Sequence, residues 1–348
     1  MIGTVNKRDI RKLSLEELKA FFVENGDKPF RATQVYEWLW KKSCKDFDQM
    51  TNLSLPTREL LKEHFSINHI HVDNMQRSTD GTIKNAVKLH DGLIVESVLI
   101  PHEKRITACV SSQVGCSLDC KFCATARLKR MRNLSPDEIY DQVVAIKEQS
   151  ELFFNRPLTN IVFMGMGEPM LNYANVIEAI DKITSPKGLN MASKRITLST
   201  VGVAKMIKKI ADDGVKFNLA VSLHSAINKT RSAIMPINET NSLEDLADAL
   251  RHWYALTKRK VTYEYVVWKG INDTEEDALA LLKFCKVIPC KVNLIEYNPI
   301  DDGEFQQAPA EALNLYMDLL EKNGITTRIR KSRGKDIDAA CGQLANKS

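Results

Sequence analysis

The chain lacks several features that would assign it at once to a particular class of protein. No apolar run in its 348 residues approaches the roughly 18–20 that a membrane span needs. The first residues lack the apolar core of a secretory signal peptide. Neither sign of charge is in large excess, since 49 Lys and Arg stand against 44 Asp and Glu. With 27% charged and 44% hydrophobic residues, the composition is globular and excludes a disordered chain. We therefore expect a soluble, cytoplasmic protein without membrane contact.

Cysteine, by contrast, is present and clustered. Four of the eight cysteines lie between Cys109 and Cys123. Thiols stay reduced in the cytosol, so such a cluster suggests metal binding or thiol chemistry before disulfides.

Residues 1–75 read as a small helical accessory module. Ser14 and Glu17 have capping-box spacing, apolar residues follow at helical spacing, and Gly26 ends the run. Two more helices are predicted at 32–42 and 57–64. The cations on this module are compatible with RNA contact or with a merely solvated face.

The rest of the chain changes from strands to alternating strands and helices. Residues 76–112 read as a β-hairpin linker, because Asp91-Gly92 separates two apolar runs. In 113–348, strands are predicted at 160–164, 195–199, 217–222, 261–267, 292–297 and 327–331, with helices between them that include one opening at Ser135 and one at 242–256. Repeated β-α units predict an α/β domain with a parallel sheet, either doubly wound or barrel-like. In a barrel, the chemistry lies at the carboxyl ends of the strands.

The CxxxCxxC motif of Cys116, Cys120 and Cys123 is the centre of the interpretation. A structural zinc site has four ligands, usually in two separated pairs, and no second pair of that spacing follows. A [4Fe–4S] cluster held by three cysteines leaves one iron open, which is a catalytic arrangement. Zinc with Cys109 or Cys341 as fourth ligand and inert buried cysteines are the alternatives.

Small and polar residues follow several predicted strands. The strand at 160–164 leads into Gly165-Met-Gly-Glu-Pro169, and glycines after a strand let the backbone approach a ligand. Ser199, Ser222, His224 and Asn298 end other predicted strands, where a ligand-facing rim is expected.

Cys341 differs from the isolated cysteines 44, 285 and 290, which we interpret as small buried hydrophobes. The stretch 328–335 upstream of Cys341 contains five cations. Nearby cations stabilise a thiolate and make it nucleophilic.

With Phe122 before its last cysteine, the motif resembles that of the radical S-adenosylmethionine (SAM) superfamily. Together with FMGMGEP at 163–169 and DIDAACGQL at 336–344, it makes residues 5–345 resemble the dual-specificity RNA methyltransferases of the RlmN family. The chain is also similar to the Cfr enzymes, which methylate carbon 8 of adenine. The resemblance implies a partial (β/α) barrel of the radical SAM type with a small N-terminal helical domain that binds RNA.

The resemblance also implies roles for residues. Cys116, Cys120 and Cys123 would hold a [4Fe–4S] cluster. The SAM-binding positions would be Gly167, Glu168, Ser199, Ser222, Leu223, His224 and Asn298. Two molecules of SAM would be used per turnover: one methylates Cys341, and the other yields a 5′-deoxyadenosyl radical that removes hydrogen from that methyl group. The methylene radical would add to carbon 2 of adenine, Cys109 would resolve the crosslink and form a disulfide with Cys341, and Glu96 would accept a proton.

The implied partners are 23S ribosomal RNA, transfer RNA, an electron donor such as flavodoxin or ferredoxin, and a thiol reductant. Basic clusters at 127–132 and 328–335 flank the proposed catalytic cysteines, so phosphate contact is expected there. Neutralising Arg130 and Arg132 should then flatten the salt dependence of RNA binding. For the cluster at 258–260, a solvated face is an equal alternative.

Three function classes remain open from the residues alone. The first is adenine methylation at carbon 2, and the second is another radical SAM activity, such as carbon 8 methylation or peptide modification. The third is a non-enzymatic zinc or iron–sulfur module that binds RNA.

Overall fold

A ten-stranded sheet runs through the molecule. The computed structural model describes residues 7–300 and 304–346. In chain order the strands are β1 (His71–Arg77), β2 (Ile83–Lys88), β3 (Ile94–His102), β4 (Arg105–Cys109), β5 (Asn160–Phe163), β6 (Ile196–Thr200), β7 (Asn218–Ser222), β8 (Val261–Val266), β9 (Cys290–Ile295) and β10 (Thr326–Arg330). Each strand pairs with its neighbours in sequence, so the spatial order follows the chain.

The sheet has an antiparallel part and a parallel part. Strands β1 to β4 form an antiparallel meander. From β4 to β10 every pairing is parallel. Parallel pairs need crossover connections, which the helices supply. Because β3 and β4 line the same cavity as β10, the sheet curves into a partial barrel. The predicted barrel is confirmed, and the doubly wound alternative is excluded.

Ten α-helices accompany the sheet within the described residues. They are α1 (Leu15–Glu24), α2 (Phe30–Trp40), α3 (Leu55–His64), α4 (Pro136–Phe154), α5 (Tyr173–Thr184), α6 (Ala204–Asp212), α7 (Asn228–Ile234), α8 (Leu243–Thr257), α9 (Glu275–Cys285) and α10 (Ala310–Lys322). The main apolar core includes residues of these helices and of the sheet, and a smaller apolar cluster surrounds Cys120. Across 7–300 and 304–346, no helix is both long enough and apolar enough to cross a lipid bilayer.

Helices α1 to α3 lie in the N-terminal region that the sequence predicts to be helical. The Ser14 hydroxyl accepts from the N–H of Glu17, and the Glu17 carboxylate accepts from the N–H of Ser14, so the capping box is present. The second and third helices begin two residues earlier than predicted, at Phe30 and Leu55.

Buried polar contacts hold this module against α4. The Arg11 guanidinium, almost fully buried, binds Asp141 (2.8 Å) and lies 3.4 Å from Asp137. The Tyr140 hydroxyl donates to the carbonyl of Trp40 (2.6 Å), and the two rings meet edge to face. The module is therefore fixed to the barrel by a buried ion pair and by an edge-to-face aromatic pair.

The segment between the module and the parallel strands differs from its interpretation as a linker. Strand β1 begins at His71, inside the region interpreted as helical, and its residues are mostly exposed. Strands β1 to β4 continue the barrel sheet, because β4 pairs in parallel with β5. An exposed edge strand has no apolar face, which explains why β1 left no hydrophobic pattern in the sequence.

Residues 334–346, called the C-terminal segment below, cross from β10 to the antiparallel strands. The Asp336 carboxylate accepts from the Ser78 hydroxyl near one end of the segment. At the other end, the N–H of Ala345 donates to the Glu96 carboxylate (2.8 Å). The segment thus spans the opening of the partial barrel and is anchored on both sides of Cys341.

Candidate active site

A first cavity of about 1110 Å³, part of it open to solvent, lies at the carboxyl ends of the parallel strands. Its walls come from the cysteine loop, the loops after β5, β6, β7 and β9, and the C-terminal segment. In parallel sheets this edge is where ligands bind, since the connecting loops converge there.

The three motif cysteines line one wall of the first cavity. All are free thiols, and burial raises the pKa of Cys116 to about 11 and that of Cys120 further. A cation or metal centre is therefore needed to hold them as thiolates. Among the described residues, no three His, Cys, Asp or Glu side chains converge to hold a single metal ion. The cysteine ligands of a four-iron cluster bind different irons and so stand further apart than ligands of one ion. The thiol wall thus fits a cluster better than the zinc alternative.

Gly167 and Glu168 line the same cavity as the three thiols. The Glu168 carboxylate accepts from the N–H groups of Met170 (3.0 Å) and Val201 (2.9 Å). Burial raises the pKa of Glu168 to about 7, although these N–H groups favour its charged form. A buried carboxylate near neutrality suits the binding of a ligand's ammonium group.

The glycines of this loop serve packing as well as the ligand. A Cβ on Gly165 would lie 2.7 Å from the carbonyl of Val110, and one on Gly167 would lie 2.5 Å from the Cβ of Gln113. Both positions are therefore fixed by contact with residues 110–113, on the side away from the expected ligand.

Ser199, Ser222, His224 and Asn298 also line the first cavity. His224 adopts a left-handed backbone, with φ of 56°, which is uncommon outside glycine. Its Nδ1 accepts from the N–H of Val266 (3.1 Å), so the ring proton is on Nε2. Burial lowers the pKa of His224 to about 3, which keeps the ring neutral.

Asn298 carries the polar atom that most directly indicates a ligand. Its Nδ2 donates to the carbonyl of Cys341 (3.2 Å), while its Oδ1 is buried and has no hydrogen-bond partner in the described structure. An unpaired buried acceptor in a cavity wall is costly unless a ligand satisfies it. The residues present therefore fit a bound polar cofactor such as SAM.

Leu223 is the one predicted SAM residue that lies outside the cavity wall. Its side chain is completely buried in the apolar core, and its N–H donates to the carbonyl of Glu264 (3.0 Å).

A second cavity lies against the inner face of the same sheet, nearer the amino ends of the parallel strands. Its walls include Thr107, Asn160, Thr197, Thr262 and Asn293, each of which belongs to a different strand. Five cations join them: Arg105, Arg328, Arg330, Lys331 and Arg333. Cys341 and Arg330 line both cavities. The Cys341 thiol thus stands where a cofactor cavity meets a cationic cavity.

Cys109 lines the second cavity, together with Cys341. It ends strand β4 and is buried, and burial raises the pKa of its thiol to about 12. The two cysteines and Arg330 lie close enough that their charges interact. The structure therefore brings together the two thiols that the sequence separates by 232 positions (341 − 109).

Glu96 lies in neither cavity, although it was predicted as a proton acceptor. Its side chain is buried, and one oxygen is 3.2 Å from the Lys84 ammonium. The other oxygen accepts from the N–H groups of Ala345 (2.8 Å) and Asn346 (3.1 Å). In this structure Glu96 anchors the C-terminal segment.

The basic clusters divide into surface cations and structural ones. Arg132 was expected to contact phosphate, but its guanidinium is bound to the buried Glu138 through two hydrogen bonds (2.8 Å each) and to Asp91 (2.6 Å). These ion pairs occupy most of its donors and favour a structural role for Arg132. Arg130 is exposed. In the cluster at 258–260, Arg259 donates to the carbonyl of Phe217 (2.8 Å), which favours a structural role.

Sequence reasoning missed Arg330, Glu264 and Arg231 as individual site residues. Arg330 was noticed only as one of several cations, whereas it lies 3.5 Å from Glu264 and lines both cavities. The sequence indicates only that Arg328 and Arg330 are two residues apart in a strand and therefore lie on the same face of β10.

Comparisons with known proteins agree with this geometry. Residues 8–67 match the family described as the ribosomal RNA large subunit methyltransferase N-terminal domain, and residues 110–282 match the radical SAM superfamily.

Full-length relatives cover nearly the whole chain. A protein of Christiangramia forsetii named "Probable dual-specificity RNA methyltransferase RlmN" is 70% identical over 342 residues, 98% of this chain and 97% of the relative. A protein of the same name from Flavobacterium psychrophilum is 69% identical and covers 99% of both chains. Among solved structures, a radical SAM methyltransferase from Sphaerobacter thermophilus superposes with a TM-score of 0.91 at 36% identity, over 97% of this chain and 99% of that one.

Proposed function

The chain belongs to the RlmN family of radical SAM RNA methyltransferases, and we propose that it methylates carbon 2 of a specific adenine in 23S ribosomal RNA and of an adenine in transfer RNAs. The observation that carries this proposal is the position of Cys341, between the wall of motif thiols and a cationic cavity. We expect the enzyme to be soluble and cytoplasmic, because its substrates are ribosomal and transfer RNA.

Two groups of residues would hold the cofactors. Cys116, Cys120 and Cys123 would bind the [4Fe–4S] cluster, which with SAM supplies a 5′-deoxyadenosyl radical. Glu168, Ser199, Ser222, His224, Asn298 and the Gly167 backbone would bind SAM. The unpartnered Oδ1 of Asn298 and the carboxylate of Glu168 supply acceptors for its ammonium group. The apolar wall around His224 excludes water from it.

Cys341 would carry the methyl group between SAM and RNA. Its thiolate would attack the methyl carbon of the SAM sulfonium, releasing S-adenosylhomocysteine and leaving S-methylcysteine. The Arg330 guanidinium lies beside it, and the negative charge of Cys341 is the largest influence that raises the pKa of Arg330. The displacement needs the thiolate of Cys341, which is the nucleophilic form of this group. Carbon 2 of adenine is itself a poor nucleophile, so transfer through a carbon radical removes the need for a direct displacement.

Cys109 would resolve the protein–RNA crosslink and leave a disulfide with Cys341. Both thiols line the second cavity, which supports their pairing. A thiol reductant must then restore the dithiol, and an electron donor such as flavodoxin or ferredoxin must serve the cluster.

The second cavity would receive the target nucleotide. Five cations surround a wall of Thr and Asn side chains, which is the chemistry that pairs with phosphates and base edges. The adenine must leave its stack to reach Cys341. Carbon 8 methylation of the Cfr type is not favoured, because the relatives at 70% and 69% identity carry the RlmN name.

Replacing Cys341 with Ala tests the covalent route. After anaerobic reconstitution, we expect Cys341→Ala to bind about four irons and to cleave SAM without forming any methyladenine, since the methyl carrier is gone. Mass spectrometry of nucleosides from the treated RNA provides the measurement. Cys285→Ala, at a buried cysteine outside both cavities, is the matched control. Undiminished carbon 2 methylation by Cys341→Ala would overturn the proposal.

Replacing Cys109 with Ala tests resolution. We expect this variant to accumulate a covalent RNA–protein adduct, detected as a band of lower mobility on a denaturing gel. Turnover without an adduct would show that Cys109 does not resolve the crosslink. Cys44→Ala, which changes a buried thiol of the N-terminal module, should behave like the parent.

A further inference from the structure

Arg231 is a completely buried cation that the proposed chemistry does not use. It lies on α7, and its guanidinium donates to the carbonyls of Leu223 (3.1 Å) and Val201 (2.5 Å) and to Oδ1 of Asn238 (2.7 Å). A weaker contact reaches the carbonyl of Ser222 (3.5 Å). These bonds hold together the loops after β6 and β7, which line the first cavity.

All of these acceptors are neutral, so Arg231 has hydrogen bonds but no counter-charge. Within 7–300 and 304–346, no carboxylate forms an ion pair with it. Burial lowers the pKa of Arg231 to about 10, and the only charge that raises it is that of Cys120. A buried charge without compensation is unfavourable, so a negative group is expected close by when the site is complete.

The motif loop can supply that group. Helix α7 and the loop are in contact, because the N–H of Lys121 donates to the carbonyl of Ile234 (3.0 Å) and Cys120 packs against Ile234 and Met235. Three thiolates on a cluster would bring net negative charge to this position.

We propose that Arg231 is the counter-charge of the iron–sulfur cluster and that its positive charge raises the reduction potential of the cluster. This inference rests on the proposed function, which assigns the cluster to the three motif cysteines. One-electron reduction makes the cluster more negative by one unit. A nearby cation in a low-dielectric interior stabilises the reduced state more than the oxidised state.

The test is a redox titration of the reconstituted full-length chain, followed by the electron paramagnetic resonance signal of the reduced cluster. In Arg231→Gln, we expect the ratio of reduced to oxidised cluster at a fixed potential to fall about tenfold, which is 59 mV for a one-electron couple. Arg231→Lys keeps the charge and should retain the parent potential.

A second pair of variants separates charge from structure. Asn238→Asp sets a carboxylate against the guanidinium at an existing hydrogen bond, and should lower the potential in the same direction as Arg231→Gln. Asn238→Ala removes that hydrogen bond and leaves the charge, so its potential should stay at the parent value.

The outcomes decide between an electrostatic and a structural role. Parent-like potentials in Arg231→Gln and Asn238→Asp would overturn the proposal, as would an equal decrease in Arg231→Lys. Loss of iron from Arg231→Gln and Asn238→Asp, with full iron in Arg231→Lys and Asn238→Ala, would also support the proposal. The first two variants make the net charge at this position more negative, and the last two leave it unchanged. A parent chain that binds no cluster would instead overturn the proposed function.

Discussion

At the scale of single residues, Glu168 shows how burial sets the chemistry of the site. It is 3% exposed and sits in the loop after β5, where two backbone N–H groups hold its carboxylate. Burial nevertheless dominates, raising its pKa from 4.5 to about 7. At neutral pH, Glu168 can therefore be protonated in the chain without a ligand and charged when an ammonium group lies beside it.

This shift predicts a pH dependence of stability in the chain without cofactors. The folded state binds the Glu168 proton more tightly than the unfolded state, so stability falls as pH rises from about 4.5 to about 7. The expected slope from this group is about 1 kcal/mol per pH unit. In Glu168→Gln that contribution disappears, which urea unfolding across this pH range would measure.

The control for this prediction is the exposed Glu311, whose replacement by Gln should leave the parent slope. An unchanged slope in Glu168→Gln would mean that burial does not raise the pKa of this carboxyl in solution.

Single residues also mark what a sequence can and cannot indicate about the site. The predicted SAM residues were chosen because they lie at or just after the ends of predicted strands, and strand ends share one edge of a parallel sheet. Leu223 differs from the other six because its side chain is buried in the apolar core, which the sequence does not show. Arg132 resembled a phosphate-binding residue, since neither its distance to Glu138 nor the burial of that carboxylate is visible in the sequence.

At the scale of elements, the C-terminal segment is held by carboxylates at both ends. Asp336 accepts from Ser78 and from the N–H of Thr79 (3.1 Å), and Glu96 accepts from the N–H groups of Ala345 and Asn346. Between these anchors lies Cys341. The position of its thiol therefore depends on two acids that do not line the first cavity.

A pair of variants distinguishes anchoring from proton transfer. If Glu96 positions the segment, Glu96→Gln and Asp336→Asn should both raise hydrogen–deuterium exchange in residues 340–346 and reduce methylation, since each weakens one anchor. Mass spectrometry of the exchanged peptides and nucleoside analysis supply the two readouts. Loss of methylation in Glu96→Gln alone, with exchange unchanged, would identify Glu96 as a proton acceptor instead.

The elements also show where sequence patterns are informative. The parallel strands were predicted to within about two residues, because buried strands read as short apolar runs between helical stretches. The exposed strand β1 left no such pattern. The anchoring of the segment was invisible for another reason, since Glu96 and Ala345 are 249 positions apart and their contact follows only from the closed fold.

At the scale of the whole molecule, the N-terminal module and the barrel form a continuous body with cations on its surface. Arg11 lies among Asp9, Asp137 and Asp141 at their junction, and Lys182 of α5 donates to the Tyr36 hydroxyl (2.6 Å). RNA would therefore meet a rigid surface, with its salt dependence set by the exposed cations.

Two arginines of one cluster should differ in this respect. Replacing the exposed Arg130 with Gln is expected to reduce the slope of log affinity against log salt by about 0.7–0.9, the contribution of one phosphate contact. Arg132→Gln should leave this slope unchanged. It should lower the melting temperature, because Glu138 and Asp91 lose their ion pairs with Arg132. Filter binding of an RNA fragment at several salt concentrations, with thermal unfolding, measures both. A reduced slope in Arg132→Gln would show that Arg132 exchanges its ion pairs with Glu138 and Asp91 for a phosphate contact when RNA binds.

Cys341 belongs to the walls of both cavities, and this arrangement has a consequence for the order of events. Under the proposed function, the coenzyme would reach this thiol from the first cavity and the nucleic acid from the second. Neither would then have to leave before the other arrives.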